Sequence, residues 1–208
     1  MIATVEQTVF IVDDDAAVRD ALALLLGLKG HRTAIFNSAE DFLSSFRKEW
    51  RGCLVLDIKM GGMSGLDLQA RLNEQGCELP IVVITGHGDA SSARTALKSG
   101  AVDFLEKPLD DQQLVAAVAA ALERDAKRRA EKMVGEEATS RLSRLTPRER
   151  QVMDLAAAGR HNREIGETLG ISPRTVEVYK ARLMEKLQAR NLSELIRFAL
   201  TADRERTA

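Results

Sequence analysis

The chain has 208 residues, 45% of them hydrophobic and 29% charged, the balance of a soluble globular protein with one large or two small domains. No apolar run approaches the roughly 20 residues that cross a membrane, and Met1 to Gln7 lacks the basic-then-apolar order of a signal peptide, so a cytoplasmic protein with no membrane partner is expected. Cys53 and Cys77 have no CxxC spacing, which speaks against a structural disulfide or a zinc site. The formal net charge of −1 hides an asymmetry: residues 141–208 hold 14 Lys/Arg and 9 Asp/Glu, net +5, against 16 and 22, net −6, in residues 1–140. Two domains with different partners, one of them a polyanion, would carry such a split, although ordinary solvated surface produces splits of this size too.

Thr8 to Val12 is a β-branched and aromatic run that predicts a strand, ended by Asp13-Asp14-Asp15. Val18, Leu22, Leu25 and Leu26 then recur at helical spacing, with Asp15 suited to the N-cap and Gly27 and Gly30 near the stop. Arg32 to Phe36 predicts a second strand, and Ser38-Ala39-Glu40-Asp41 is a capping signature for a helix bearing Phe42, Leu43 and Phe46. Cys53 to Asp57 is an apolar run that ends abruptly in a carboxylate, as in a strand buried on both faces. After a loop, Ser64 or Gly65 opens a helix with Leu66, Leu68 and Leu72. Pro80 to Thr85 predicts a fourth strand, about Asp89 to Ser99 a helix closed by Gly100, and Val102 to Leu105 a fifth strand ended by Lys107-Pro108. Asp111 to about Lys132 predicts a helix with Leu114, Val115, Val118 and Leu122 on one side. Five strands alternating with five helices predict an α/β doubly wound fold, a five-stranded parallel sheet covered on both faces. Trp50 reads as a helix-end packing residue, and His31, His87 and His161 fall into no ligand grouping.

The pairs Glu123/Lys127 and Asp125/Arg129, four residues apart and opposite in sign, extend the last helix into a solvated helical linker. Gly135 to Ser140 predicts its break. Beyond it every signal is helical. Thr146-Pro147-Arg148-Glu149 is a capping box with Pro at the first helical position. Asn162 opens a second helix that Gly170 ends, Ser172-Pro173 caps a third with Val176, Tyr179, Leu183 and Leu187, and Asn191 starts a fourth. The pair around Leu169-Gly170-Ile171 has helix-turn-helix spacing. The predicted units are residues 6–125, a linker 126–141, and an all-α four-helix domain 142–205.

In a doubly wound sheet the first and third strands are neighbours, so Asp13, Asp14 and Asp57 would crowd one crevice at the carboxyl ends of the strands. Like charges that close need a cation, and all-oxygen ligands point to a hard ion such as Mg²⁺. Thr85 and Lys107 end the fourth and fifth strands at the same rim. A metal site, a hydroxyl and a lysine around one carboxylate suit phosphoryl transfer to that carboxylate. Taken singly, Asp57 also fits a surface turn, Lys107 a solvent lysine and Thr85 an ordinary strand residue.

Residues 6–125 resemble the CheY-like receiver domains of two-component response regulators, through Val12-Asp13-Asp14, Leu56-Asp57, Thr85-Gly86 and Glu106-Lys107-Pro108. The resemblance implies that Asp57 is the phosphoacceptor, served by a sensor histidine kinase, and that Asp13, Asp14, Asp57 and the main-chain carbonyl of Lys59 hold Mg²⁺. It implies that Thr85 follows the phosphoryl group, that Lys107 pairs with it, that the Lys107-Pro108 bond is cis, and that Phe104 is the switch aromatic. Many relatives have Tyr at that last position.

In the third helix of the second domain, Thr175, Glu177, Val178, Ala181 and Arg182 point outward, and Arg174, Lys180, Arg182 and Lys186 supply phosphate-directed charge. Residues 142–203 resemble the LuxR-type domains of the FixJ/NarL class, through Leu145 to Glu149, Asn162-Arg163-Glu164-Ile165-Gly166, Ile171 to Glu177 and Lys186-Leu187. That resemblance implies a transcription regulator on promoter DNA, nitrogen-fixation genes among its targets, with Asn162 among the DNA contacts. It also implies RNA polymerase as a further partner and the last helix as a dimer contact. Many relatives have Lys where Glu177 stands; an acid cannot hold a phosphate but can accept from a cytosine amino group.

Together these imply that phosphate on Asp57 draws Thr85 and lets Phe104 fill the vacated space. The face of the fourth helix, fifth strand and fifth helix then forms a homodimer, or an inhibitory contact between domains is released. The expected chemistry is limited to the chain's own Mg²⁺-dependent phosphoryl transfer and dephosphorylation. Two rivals stand. An aspartate-nucleophile phosphatase would use Asp13 in Asp13-Asp14-Asp15, but Ala17 stands where that class wants Thr or Val. A regulator independent of phosphorylation would need no acceptor.

Overall fold

Strands form where the apolar runs predict them. In the computed structural model, which describes residues 6–86 and 90–207, β1 (Thr8–Val12), β2 (Arg32–Phe36), β3 (Gly52–Asp57), β4 (Ile81–Thr85) and β5 (Asp103–Glu106) make one parallel sheet in the order β2-β1-β3-β4-β5. β5 runs one residue later than expected. All six residues of β3 are buried: Cys53 and Val55 enter one core, Leu54 and Leu56 the other. Two apolar faces explain why the run does not alternate with polar residues. Helices α1 (Ala16–Leu28) and α5 (Asp111–Leu142) cover the first face; α2 (Ala39–Ser45), α3 (Gly65–Glu74) and α4 (Ala90–Lys98) cover the second. The doubly wound α/β architecture is therefore present. His87 and the expected helix start at Asp89 lie outside the described residues.

Local chemistry starts the helices. Asp15 accepts from the N–H groups of Ala17 and Val18, Ser38 from Asp41 and Ser64 from Asp67. Trp50 is not a helix-end residue. It lies between α2 and β3, stacked on Phe10 at 4.3 Å between ring centroids and edge-on to Phe42 and Phe46.

The expected break at 135–140 does not occur, because α5 continues through it to Leu142. Gly135 costs a helix only about 1 kcal/mol relative to Ala. Glu136, Glu137 and Ala138 are good helix formers, and Arg141 pairs with Glu137 at 2.6 Å one turn away. Nor is Asp125 part of a solvated stripe. It is fully buried, held by Arg129 Nε (2.9 and 3.1 Å), Arg128 Nη2 (2.7 Å) and the Gly52 N–H (3.0 Å).

Two compact units part between Arg129 and Ala130, inside the expected linker. The second contains α6 (Pro147–Ala157), α7 (Asn162–Leu169), α8 (Pro173–Leu187) and α9 (Leu192–Thr207), with Leu142, Met153, Ile165, Val176, Leu183 and Leu187 in its core. The capping box at Thr146 forms as expected. Thr146 Oγ1 accepts from the Glu149 N–H, and the Glu149 carboxylate accepts from the Thr146 N–H at 2.8 Å.

Candidate functional site

The register of β1 on β3 sets Val12 beside Leu56, so Asp13 and Asp57 leave the sheet at one rim. Asp57 is the last residue of a fully buried strand and Asp13 follows the buried Val9–Val12 run of β1, so both are buried although both are acids. α3 presses close behind: a side chain at Gly65 would overlap the Asp57 carbonyl oxygen, so only glycine fits there. Asp14 is exposed, and its Oδ2 accepts from the Gly61 N–H at 2.8 Å, tying the β1 end to the loop after β3. Glu40 accepts from the Met63 N–H in the same loop. Backbone N–H groups, its own and that of Met63, hold the Glu40 carboxyl below the usual range.

Asp13, Asp14 and Asp57 each offer a carboxylate oxygen within 4.8 Å of the others. Lys107 Nζ lies 2.8 Å from Asp13 Oδ2 and 2.9 Å from Asp57 Oδ2. Its backbone is held there by the Lys107 N–H, which donates to the Thr85 carbonyl at 2.8 Å; the Lys107-Pro108 peptide is cis. Burial pushes the Asp57 carboxyl up, and the Lys107 hydrogen bond offsets this only in part. Burial alone would lower the Lys107 ammonium, but its bonds to Asp13 and Asp57 outweigh it and raise it. Three carboxylates thus cluster, two of them bound to the Lys107 ammonium. All-oxygen donors of this charge fit a hard divalent cation.

Thr85 is buried at the end of β4. The Lys59 N–H donates to Asp57 Oδ1 at 3.3 Å. Phe104 points outward, 39% exposed, with Leu97 of α4 42% exposed.

In the second unit α7, turn and α8 form the expected helix-turn-helix. A side chain at Gly166 would come within 2.6 Å of the Ile171 carbonyl, so glycine lets the turn fold onto α7. Ser172 accepts from the Thr175 N–H and Pro173 opens α8. Arg174, Glu177, Val178, Ala181 and Arg182 are exposed at helical spacing, and Thr175 is half-buried. Lys186 is committed elsewhere: its Nζ lies 2.7 Å from Oε2 of buried Glu149. Burial alone would raise the Glu149 carboxyl, yet Lys186 and the Thr146 donors hold it below the usual range. Lys180 donates to Asn162 Oδ1 at 2.6 Å, and Asn162 Nδ2 to Glu177 Oε1 at 3.4 Å. The sequence carries no signal for these last contacts, which join residues 15 to 37 positions apart.

Residues 9–119 match the response regulator receiver domain family, and residues 143–199 match the bacterial regulatory proteins of the luxR family. The chain belongs to the response regulators. The transcriptional regulatory protein FixJ of Azorhizobium caulinodans is 46% identical to the regulator over 194 residues, 93% of this chain and 92% of that one. Nodulation protein W of Bradyrhizobium diazoefficiens is 42% identical over 199 residues, 96% and 88% of the two chains. The solved structure of the response regulator StyR matches with a TM-score of 0.85 at 41% identity, over 93% of this chain and 98% of that one. A receiver joined to a LuxR-type domain makes the regulator a FixJ-like two-component protein of transcription control, with a kinase and promoter DNA as implied partners. The phosphatase reading falls with that membership. No helix among the described residues is long and apolar enough to cross a membrane.

Proposed function

We propose that the regulator accepts a phosphoryl group on Asp57 from the phosphohistidine of a sensor histidine kinase and thereby gains affinity for promoter DNA. The observation that carries this is the Lys107 ammonium bound to both Asp13 and Asp57 beside a third carboxylate. An Asp57 oxygen attacks phosphorus, the P–N bond to the kinase imidazole breaks, and the imidazole leaves with that electron pair. Mg²⁺, held by Asp13, Asp14, Asp57 and the Lys59 carbonyl, would supply the charge that screens attacker from phosphate. Lys107 offsets the charge of the acyl phosphate. The Thr85 hydroxyl closes on a phosphoryl oxygen, and Phe104 turns inward behind it. Hydrolysis of the same acyl phosphate resets the chain.

The working divisions are a receiver, 6–125, a helical linker, 126–141, and a DNA-binding domain, 142–205. The α4–β5–α5 face, where Leu97 and Phe104 are exposed, pairs with a second phosphorylated copy, which doubles the DNA contact. Arg174, Thr175, Val178, Ala181 and Arg182 meet the major groove, and RNA polymerase follows at the promoter. Likeness to FixJ supports nitrogen-fixation promoters as targets, in the cytoplasm. Acetyl phosphate with Mg²⁺ should add one phosphoryl group that mass spectrometry maps to Asp57. A label on Asp13, or none, overturns the proposal.

A further inference from the structure

The exposed stripe of α8 carries an acid on the face that a polyanion would meet. Arg174, Glu177, Val178, Ala181 and Arg182 share that stripe, and Glu177 sits among them. A carboxylate brought among phosphates is repelled and loses water, so it needs a donor on the nucleic acid to offset both. Glu177 is also held in place. Asn162, the first residue of α7, gives its amide N–H to Glu177 Oε1 at 3.4 Å and takes the Lys180 ammonium on its own Oδ1 at 2.6 Å. An ammonium has only donors and a carboxylate only acceptors, so this pairing orients the Asn162 amide one way round. The bridge keeps a positive charge close to Glu177 and limits the directions its carboxylate can take.

We propose that Glu177 reads a cytosine in each operator half-site, and that Asn162 is the positioning residue that aims its carboxylate. The proposal rests on the DNA-binding reading above and adds its base specificity. Among the bases in the major groove, guanine presents the acceptors N7 and O6, and thymine presents O4 and a methyl group. Adenine offers the N6 amino group beside the acceptor N7, which repels a carboxylate. Cytosine offers the N4 amino group flanked on its own ring by C5–H and not by an acceptor, and so it is the base that a carboxylate selects. Lys180 supports the arrangement through Asn162 and is thereby drawn from the phosphate backbone.

Operators selected from a randomised duplex pool test this, using the full chain with acetyl phosphate and Mg²⁺. The wild type should enrich one cytosine position in each half-site. Glu177→Ala should flatten that position by about tenfold and leave the others as they were. Glu177→Gln should move the same position toward adenine, since Gln pairs a donor and an acceptor with N7 and N6. Asn162→Ala should weaken the cytosine preference relative to every other position, whatever freeing Lys180 does to overall affinity, with far-UV circular dichroism unchanged; a merely structural role would weaken every sequence equally. A Glu177→Ala pool that matches the wild type at all positions overturns the base reading. Uniform loss in Asn162→Ala overturns the positioning role. A wild type that enriches no sequence overturns the DNA-binding reading itself, a distinct result.

Discussion

The receiver buries carboxylates at both ends of its parallel sheet, and the two ends balance them differently. At the carboxyl ends Asp13, Asp14 and Asp57 cluster, with the Lys107 ammonium on Asp13 and Asp57 and the Arg19 guanidinium on the Asp13 carbonyl among the described residues. At the amino ends buried Asp125 is met by two guanidiniums, the Gly52 N–H and the Gln7 amide, and Arg128 also pairs with Glu78 at 3.6 Å. Arg128 and Arg129 also reach the Glu78 and Trp50 carbonyls, which pins the loops around them to α5. The lesson concerns charge left over. A structural cluster closes its charges among its own groups, whereas a site for a charged ligand keeps an excess that only the ligand satisfies. Glu149 in the second unit is of the closed kind, met by Lys186 and the Thr146 donors.

If the amino end is structural, Asp125→Ala should cost about 3–5 kcal/mol, because it strands two partly buried arginines. Urea unfolding followed by the fluorescence of Trp50, the chain's one tryptophan, measures this. Folded Asp125→Ala should still take phosphate on Asp57; loss of uptake by the folded protein would erase the distinction between the ends. Lys186→Ala should likewise act on stability, by about 2 kcal/mol, since Glu149 keeps its charge but loses a charged partner. Its salt dependence of DNA binding should match the wild type, whereas Arg182→Ala should lower the slope by about one.

The open end should respond to cation. Mg²⁺ at ten times its Kd should stabilise the wild type by about 1.4 kcal/mol, and the gain should vanish in Asp13→Ala/Asp14→Ala. Equal stabilisation of both proteins would place the ion elsewhere. The smallest effect is one of sign. Burial raises the Asp57 carboxyl, so between its ordinary and raised values the folded chain binds more protons than the unfolded chain. Stability therefore falls as pH rises through that window, and the penalty persists above it. Without divalent ions, Asp57→Asn should melt higher than the wild type at neutral pH, with an advantage that shrinks in acid. A thermal scan across pH reads it.

How legible this was in the sequence depended on the range of the cause. β3 announced itself by an apolar run ending in Asp57, and the helix starts by Ser38, Ser64, Thr146 and Ser172, all local chemistry. The acid cluster followed once strand order brought the first and third strands together. Asp125 did not, since its spacing to Arg129 is that of any surface pair; its burial comes from the start of β3, 73 residues away. Lys186 looked like a phosphate contact because Glu149, its partner, is 37 residues distant. The break at Gly135 failed for the opposite reason: one weak helix former was outweighed by good ones and by the Glu137–Arg141 pair.

The most direct test of phosphate control is a footprint on promoter DNA of the full chain, with and without acetyl phosphate, beside Asp57→Asn. Protection should appear at far lower concentration for the treated wild type, and at the untreated level for Asp57→Asn under both conditions. Equal protection by all of them would show a regulator that needs no phosphate on Asp57, and would contradict the account.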